Sequence, residues 1–200
     1  ITGSFALITG LLAMAVEGSL FGHIEARAYW HGPYTPAYFI FSSVSSGLAL
    51  LLSLIAITYK VQDEEMSDEL KKLMLEMGKI LLVFLSVAFV FVSYKISCGL
   101  HYEDKAKAIM LIIRGPLSAS FWVIEIIIGI ILPILILLYS INKPSRKGLF
   151  IASILVLAGL FVTKYDFVVA GQIYPVFKEA PPLFPAFMEI LVILGIIAAF

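Results

Sequence analysis

The chain has 200 residues, of which 61% are hydrophobic and only 14% charged, with a mean hydropathy of +1.03. Soluble domains carry about 25% charged residues, so lipid is the expected solvent for most of this surface. A formal net charge of zero leaves no electrostatic footprint for nucleic acid, and a single cysteine, Cys98, excludes an internal disulfide framework and an iron–sulfur cluster held by the chain's own thiolates.

Six apolar stretches, residues 1–22, 35–59, 80–100, 120–141, 148–170 and 185–200, read as membrane spans. Most approach the roughly 20 residues a helix needs to cross hydrocarbon. The expected fold class is all-α, a polytopic transmembrane helix bundle that forms one domain over residues 1–200. The ten-residue alternation of an outer-membrane barrel is missing from the pattern. Residues 1–16 lack a basic leader and run into Glu17 instead of a cleavage motif, which argues against a signal peptide. Both ends read as truncated, because the chain opens on apolar Ile1 and its last span reaches only about 16 residues by Phe200.

Threading the spans back and forth defines two membrane sides, A and B. On B, Met66, Leu70, Leu73, Met74 and Met77 recur at helical spacing over residues 61–79, with Ser67 placed to cap and Asp68 and Glu69 in the first turn. This segment is expected to form a short amphipathic helix on the membrane surface. The other B connection, residues 142–147, is a tight basic turn containing Pro144. The A connections, residues 23–34, 101–119 and 171–184, are longer and rich in Gly, Pro, aromatics and histidine, so function is expected there. Seven basic residues in B loops against five in A loops place B in the cytoplasm and the A loops outside.

Within the spans, the ionisable residues gather near side A: Glu17, Lys95, Glu125, Lys164, Asp166 and Glu189. The B-side halves are uncharged over residues 48–59, 80–94, 126–141 and 148–163. A charge at the bilayer centre costs at least ~2.5 kcal/mol on insertion scales, so such residues usually face a bundle interior and mark an ion, proton or ligand site. The structural alternatives are definite. Lys95 and Lys164 can snorkel to headgroups, Arg27, Trp30 and Tyr34 fit an interfacial belt, His31 beside Gly32 and Pro33 fits a loop, and Glu189 can favour a helix start. Ser42 with Ser46, and Ser43 with Gly47, are small pairs four apart that permit close helix contact. Gly129 and Pro133 share the Glu125 face, where a proline kink is expected to open space.

The run Gly-His-Ile-Glu-Ala-Arg-Ala-Tyr-Trp-His-Gly-Pro-Tyr-Thr-Pro-Ala-Tyr-Phe over residues 22–39, followed by Ser-Ser-Val-Ser-Ser-Gly over 42–47, resembles the membrane subunit of polysulfide-reductase-like complexes, the NrfD/PsrC family. Phe-Trp-Val-Ile-Glu at 121–125, Gly-Gln-Ile-Tyr-Pro at 171–175 and Pro-Ala-Phe-Met-Glu at 185–189 fit the same order. Glu-Gly-Ser-Leu-Phe-Gly at 17–22 and Ala-Arg-x-x-Trp at 26–30 resemble the DsrP branch of sulfite-reduction-associated complexes. The resemblance implies the later helices of an eight-to-ten-helix protein. It also implies a quinone-interacting subunit without haem, docked to a ferredoxin-like iron–sulfur subunit and further subunits of a respiratory complex. Menaquinone is the expected quinone. Where relatives often place a histidine in the first of these helices, this chain has Met14 and Glu17.

Quinol oxidation releases two protons and two electrons, so a site needs partners at both ring oxygens, a proton exit and an electron acceptor. Glu17, His23, His101 and Asp166 are the candidate ring-oxygen or proton partners, with Glu125 and Lys164 as the inner relay. Tyr94, Tyr102, Tyr165 and Trp30 are candidate walls. Arg27, Arg114 and Lys178 are candidate docking residues for the iron–sulfur partner. No metal ligand set is expected. Two other classes stay open: a proton or ion transporter, for which the charged layer is a vestibule, and a haem b anchor using His23 or His31 with His101.

Overall fold

Every element among the described residues, 2–62 and 66–173 of the computed structural model, is helical. The expected sixth span, Lys178 and Glu189 lie outside them. Helix α1 runs Thr2–Gly22, α2 Thr35–Val61, α3 Asp68–Gly99, α4 Glu103–Ile113, α5 Ser120–Asn142 and α6 Arg146–Ile173. Of these, α1, α2, α3, α5 and α6 are long and apolar enough to cross a membrane. Helix α2 touches α1, α3 and α6, while α6 touches α2 and α5, so α2 and α6 form the centre.

Local chemistry sets several boundaries. Proline in the first turn of α2 loses no intrahelical bond there. Ser67 caps α3 by accepting from the Leu70 N–H at 3.3 Å, and Asp68 and Glu69 complement the helix dipole. The amphipathic segment does not form a separate surface helix: α3 is one 32-residue rod, about 48 Å at the α-helical rise. No proline interrupts it, and Gly78 passes directly under Leu149 of α6, so Met74, Gly78, Leu81, Leu85, Ala88 and Val92 make one continuous buried stripe. Helix α4 occupies part of the connection expected to be a loop. It carries Ala108, Ile109 and Ile112 on its buried face.

Helix α5 departs furthest from expectation. Its first 12 residues, Ser120–Ile131, are π-helical, and the α form begins at Leu132, whose N–H bonds to the Ile127 carbonyl. Such runs are normally single-turn bulges. The change of helix type falls one residue before Pro133, whose ring removes a backbone donor and crowds the preceding turn. The wide helix turns Phe121, Glu125, Ile126, Gly129 and Ile130 inward together.

Small residues set the closest crossings. A Cβ on Gly129 would lie 2.6 Å from the Cα of Gly159, so α5 and α6 meet backbone to backbone. Gly18 makes a similar approach to Pro36 between α1 and α2. Ser42 and Ser45 are buried in α2, but a Cβ on Gly47 would meet nothing, so the Ser43–Gly47 pair makes no close helix contact among the described residues. Phe5, Ile8, Leu12, Val16 and Leu20 of α1 turn away from the other described helices and are exposed.

Candidate functional site

Residues 23–34 are strapped across the A end of the bundle. The Trp30 indole donates to the Phe167 carbonyl at 2.8 Å and lies flat against Gly171, where a Cβ would collide with the ring. Arg27 donates to the Gly171 and Gln172 carbonyls, each at 3.2 Å, which places its charge at the negative end of α6. The strap closes a ring cluster in which Phe21 meets Trp30, Phe39 and Phe167 with centroids 5.2–5.8 Å apart. Tyr29 adds to it through Phe167 at 5.8 Å.

Two lysines lie over these rings. Lys95 Nζ sits 3.3 Å from the Tyr29 centroid and 4.8 Å from that of Phe167, and Lys164 Nζ sits 3.3 Å from that of Phe39. Lys95 therefore points inward and does not snorkel. Cation–π contacts of this kind gain strength when water is removed. The three ion pairs among the described residues, Lys71–Asp68, Lys79–Glu76 and Lys107–Glu103, are all on the surface.

Beside Lys95 lies a two-part hollow. The outer part is a cleft of about 550 Å³ between residues 28–34, the end of α3 and α4, walled by Tyr94, Cys98, His101, Tyr102 and Lys105. It narrows at Tyr29, Tyr34, Lys95 and Ile109, which also border an inner cavity of about 30 Å³. Glu125, Tyr38 and Thr163 line that cavity. The cleft has the size of a small-molecule site, and the cavity has room for one or two waters. Burial pushes the Tyr29 phenol above its usual range, and the Glu125 carboxylate adds to the shift. Tyr34 is raised for the same first reason, with Tyr94 and Cys98 contributing.

Glu125 is 6% exposed, with Lys95 and Asp166 as its charged neighbours. Asp166 is 1% exposed and faces the start of α5, where its polar neighbour is the Ser120 hydroxyl, which donates to the Leu117 carbonyl at 2.9 Å. Lys164 faces the other way, toward Phe39, with Glu17 as its charged neighbour. The structure thus brings Glu125, Lys95 and Asp166 together and sets Glu17 with Lys164 apart from them.

The histidines differ. His101 stands on the cleft rim, its Nδ1 2.8 Å from the Ser97 carbonyl; His23 makes the equivalent 2.7 Å contact to Ser19 but is exposed at the end of α1, outside the cleft. A protonated Nδ1 donating to a carbonyl leaves Nε2 as the free proton acceptor. Arg114 is exposed at the end of α4. Tyr94 and Tyr102 line the cleft, whereas Tyr165 faces outward and Trp30 belongs to the core. The sequence reading missed Tyr29, Tyr38 and Thr163. Tyr38 was legible, being one turn from Tyr34 on the A end of a span. Among the described residues no group of three His, Cys, Asp or Glu converges as a metal site.

A model of the family described as "Polysulphide reductase, NrfD" matches residues 1–176. The chain is 29% identical over 162 residues to a selenate reductase subunit of Mesobacillus selenatarsenatis, covering 80% of this chain and 36% of that protein. It is 26% identical over 175 residues to the Hdr-like menaquinol oxidoreductase integral membrane subunit of Archaeoglobus fulgidus, covering 85% and 43%. A protein NrfD homolog of Haemophilus influenzae is 26% identical over 169 residues, covering 80% and 49%. The chain thus spans between a third and a half of the length of the curated relatives it matches. With the family match extending over five helices of spanning length, the chain belongs to the polysulphide reductase NrfD family.

Proposed function

We propose that the chain is the quinone-interacting membrane module of a respiratory oxidoreductase complex, with menaquinol as the quinol. The observation that carries this reading is the cleft of about 550 Å³ that narrows to a water-sized cavity holding Glu125. Support also comes from relatives named as subunits of a selenate reductase and a menaquinol oxidoreductase. The cleft suits a flat ring: Tyr34, Tyr94 and Tyr102 offer apolar faces, and His101 and Lys95 offer polar contacts at either end. A bound quinol supplies two electrons and two protons. His101 accepts a proton at the rim through Nε2, Lys95 and Tyr29 orient groups at the throat, and Glu125 takes a proton inward, with Asp166 beside it. Glu17, His23 and Lys164 form the flank of the same end.

The electrons leave to a ferredoxin-like iron–sulfur partner docked over residues 23–34 and 101–119, with Arg114 and Lys178 as contact residues and side A facing outward from a prokaryotic cytoplasmic membrane. The runs at 17–22 and 26–30 favour the sulfite-reduction-associated branch. Glu125→Gln in the assembled complex should lower quinol turnover by about 100-fold or more, the usual scale for a lost acid–base group, with assembly of the complex unchanged. Turnover within twofold of wild type would overturn the assignment. A transporter would instead carry ion flux across proteoliposomes without any quinol.

A further inference from the structure

At the opposite end of the bundle, far from the cleft, a second large hollow of about 600 Å³ lies where α2 ends and α6 begins. Lys60, Arg146 and Lys147 stand around it, Tyr59 borders it, and Ile57 and Ile151 line its apolar part. Among the described residues, none of the three cations makes an ion pair or side-chain hydrogen bond to another residue. Arg146 also borders an adjoining hollow of about 240 Å³ with Lys71 and Pro144. The quinone site accounts for neither hollow.

Three features determine what fits. Three positive charges without a described counter-ion call for an anion. Arg146 and Lys147 open α6, so the positive end of that helix adds to the field, while Ser145 Oγ already accepts the Gly148 N–H at 3.2 Å. Ile57 and Ile151 lie on membrane-spanning helices beside the cations, so the apolar wall runs from the interface toward the hydrocarbon. A soluble anion would satisfy the charges and leave that wall empty. Of the described acids at this end, Asp68 and Glu76 are bound to Lys71 and Lys79, and Glu69 is exposed and makes no ion pair with the three cations; Asp63, Glu64 and Glu65 lie outside the described residues.

We infer that this hollow is a binding site for an anionic phospholipid, with its phosphate between Lys60, Arg146 and Lys147 and an acyl chain along Ile57 and Ile151. A lipid there would join α2 to α6, the two central helices, at the end opposite the redox site. Basic side chains near a bilayer surface attract anionic lipid strongly enough that losing three should weaken binding by at least about tenfold.

The test uses the assembled protein, stripped of lipid in a neutral detergent and titrated with phosphatidylglycerol or phosphatidylcholine of identical chains, with bound lipid counted by native mass spectrometry. Phosphatidylglycerol should bind and phosphatidylcholine should not. Lys60→Gln/Arg146→Gln/Lys147→Gln should weaken phosphatidylglycerol binding about tenfold, while the charge-matched Lys72→Gln/Lys79→Gln/Lys143→Gln leaves it unchanged. Equal loss in both triple variants, equal binding of the two lipids, or displacement by millimolar inorganic phosphate overturns the proposal. Should the first variant fail to assemble, Phe150→Trp in the same hollow decides: brominated phosphatidylglycerol should quench it at concentrations where brominated phosphatidylcholine does not. Equal quenching by the two refutes the site.

Discussion

Replacing Gly159 with alanine sets two effects of opposite sign against each other. Alanine is favoured over glycine inside a helix by about 1 kcal/mol. Against this, the new Cβ would overlap the Gly129 Cα and must back off to the 3.4 Å at which ordinary contact begins. The obstacle is backbone, so no rotamer relieves it, and α5 and α6 have to separate. Overpacking of this kind costs about 1–3 kcal/mol, and a backbone obstacle belongs at the upper end, so a net loss of about 1–2 kcal/mol is expected. Gly47→Ala is the contrast, because its Cβ meets nothing within 4 Å and only the propensity gain remains. Thermal midpoints of the two variants in one detergent should therefore move in opposite directions, by about 2–4 °C per kcal/mol for a chain of this size. The separation should also reach the site, since Glu125 lies four residues from Gly129 and Thr163 four from Gly159, and both line the inner cavity. Quinol turnover should fall in Gly159→Ala alone. A midpoint for Gly159→Ala at or above that of Gly47→Ala would refute the reasoning.

Asp166→Asn should separate stability from function. Its carboxylate is sealed beside a Ser120 hydroxyl that is already committed to the Leu117 carbonyl, and a buried acceptor left short of partners costs about 1–3 kcal/mol, so the amide should leave stability equal or higher while quinol turnover drops. Loss of stability instead would reveal a partner for the carboxylate. Tyr29 and Tyr34 titrate above the ordinary tyrosine value of 10.0, by burial first. Below that value both phenols are protonated in folded and unfolded chains alike; above it the unfolded chain releases protons first, so stability should fall as pH rises from 10.0 toward the folded values. Tyr29→Phe should shallow that alkaline decline, and an unchanged decline would show the phenol to be open to water.

The five spans of the described part were legible because apolar length alone decides them, and Ser67 was legible as a cap because a hydroxyl before an acidic first turn has one local use. The chain of local signals failed where tertiary contact overrides it. The helix of residues 68–99 looked like two elements because Met66, Leu70, Leu73, Met74 and Met77 give residues 61–79 an amphipathic pattern ahead of the apolar span, yet nothing in the backbone stops it. Residues 103–113 looked like loop because the connection 101–119 carries Gly, Pro, aromatics and histidine, and the apolar face of Ala108, Ile109 and Ile112 is short. The shared depth of Glu17, Lys95, Glu125, Lys164 and Asp166 followed from counting residues along spans, but rotation about each helix axis did not. That rotation decides which carboxylate faces which cation, and here it pairs Glu125 with Lys95 across a cavity and leaves Lys164 on the side of Glu17. A π-helix shifts the inward face with each added residue, so the orientation of Glu125 could not be read from a 3.6-residue period.

The π-helical half of α5 also relates proline, glycine and carboxylate in one device. Pro133 is buried where the helix changes form, Gly129 lets α6 approach to backbone distance one turn earlier, and Glu125 follows in the space just beyond that crossing. Close approach at the glycines holds the two helices together, so the cavity beyond them stays small enough for one or two waters and does not open to lipid. Charge is tolerated there because ring faces hold Lys95 and because Glu125 has a cation across the cavity. The uncharged B halves of the same helices carry no such provision, which is why the titratable groups gather at the end where residues 23–34 fold back over the bundle and supply Tyr29 and Trp30 as its lid.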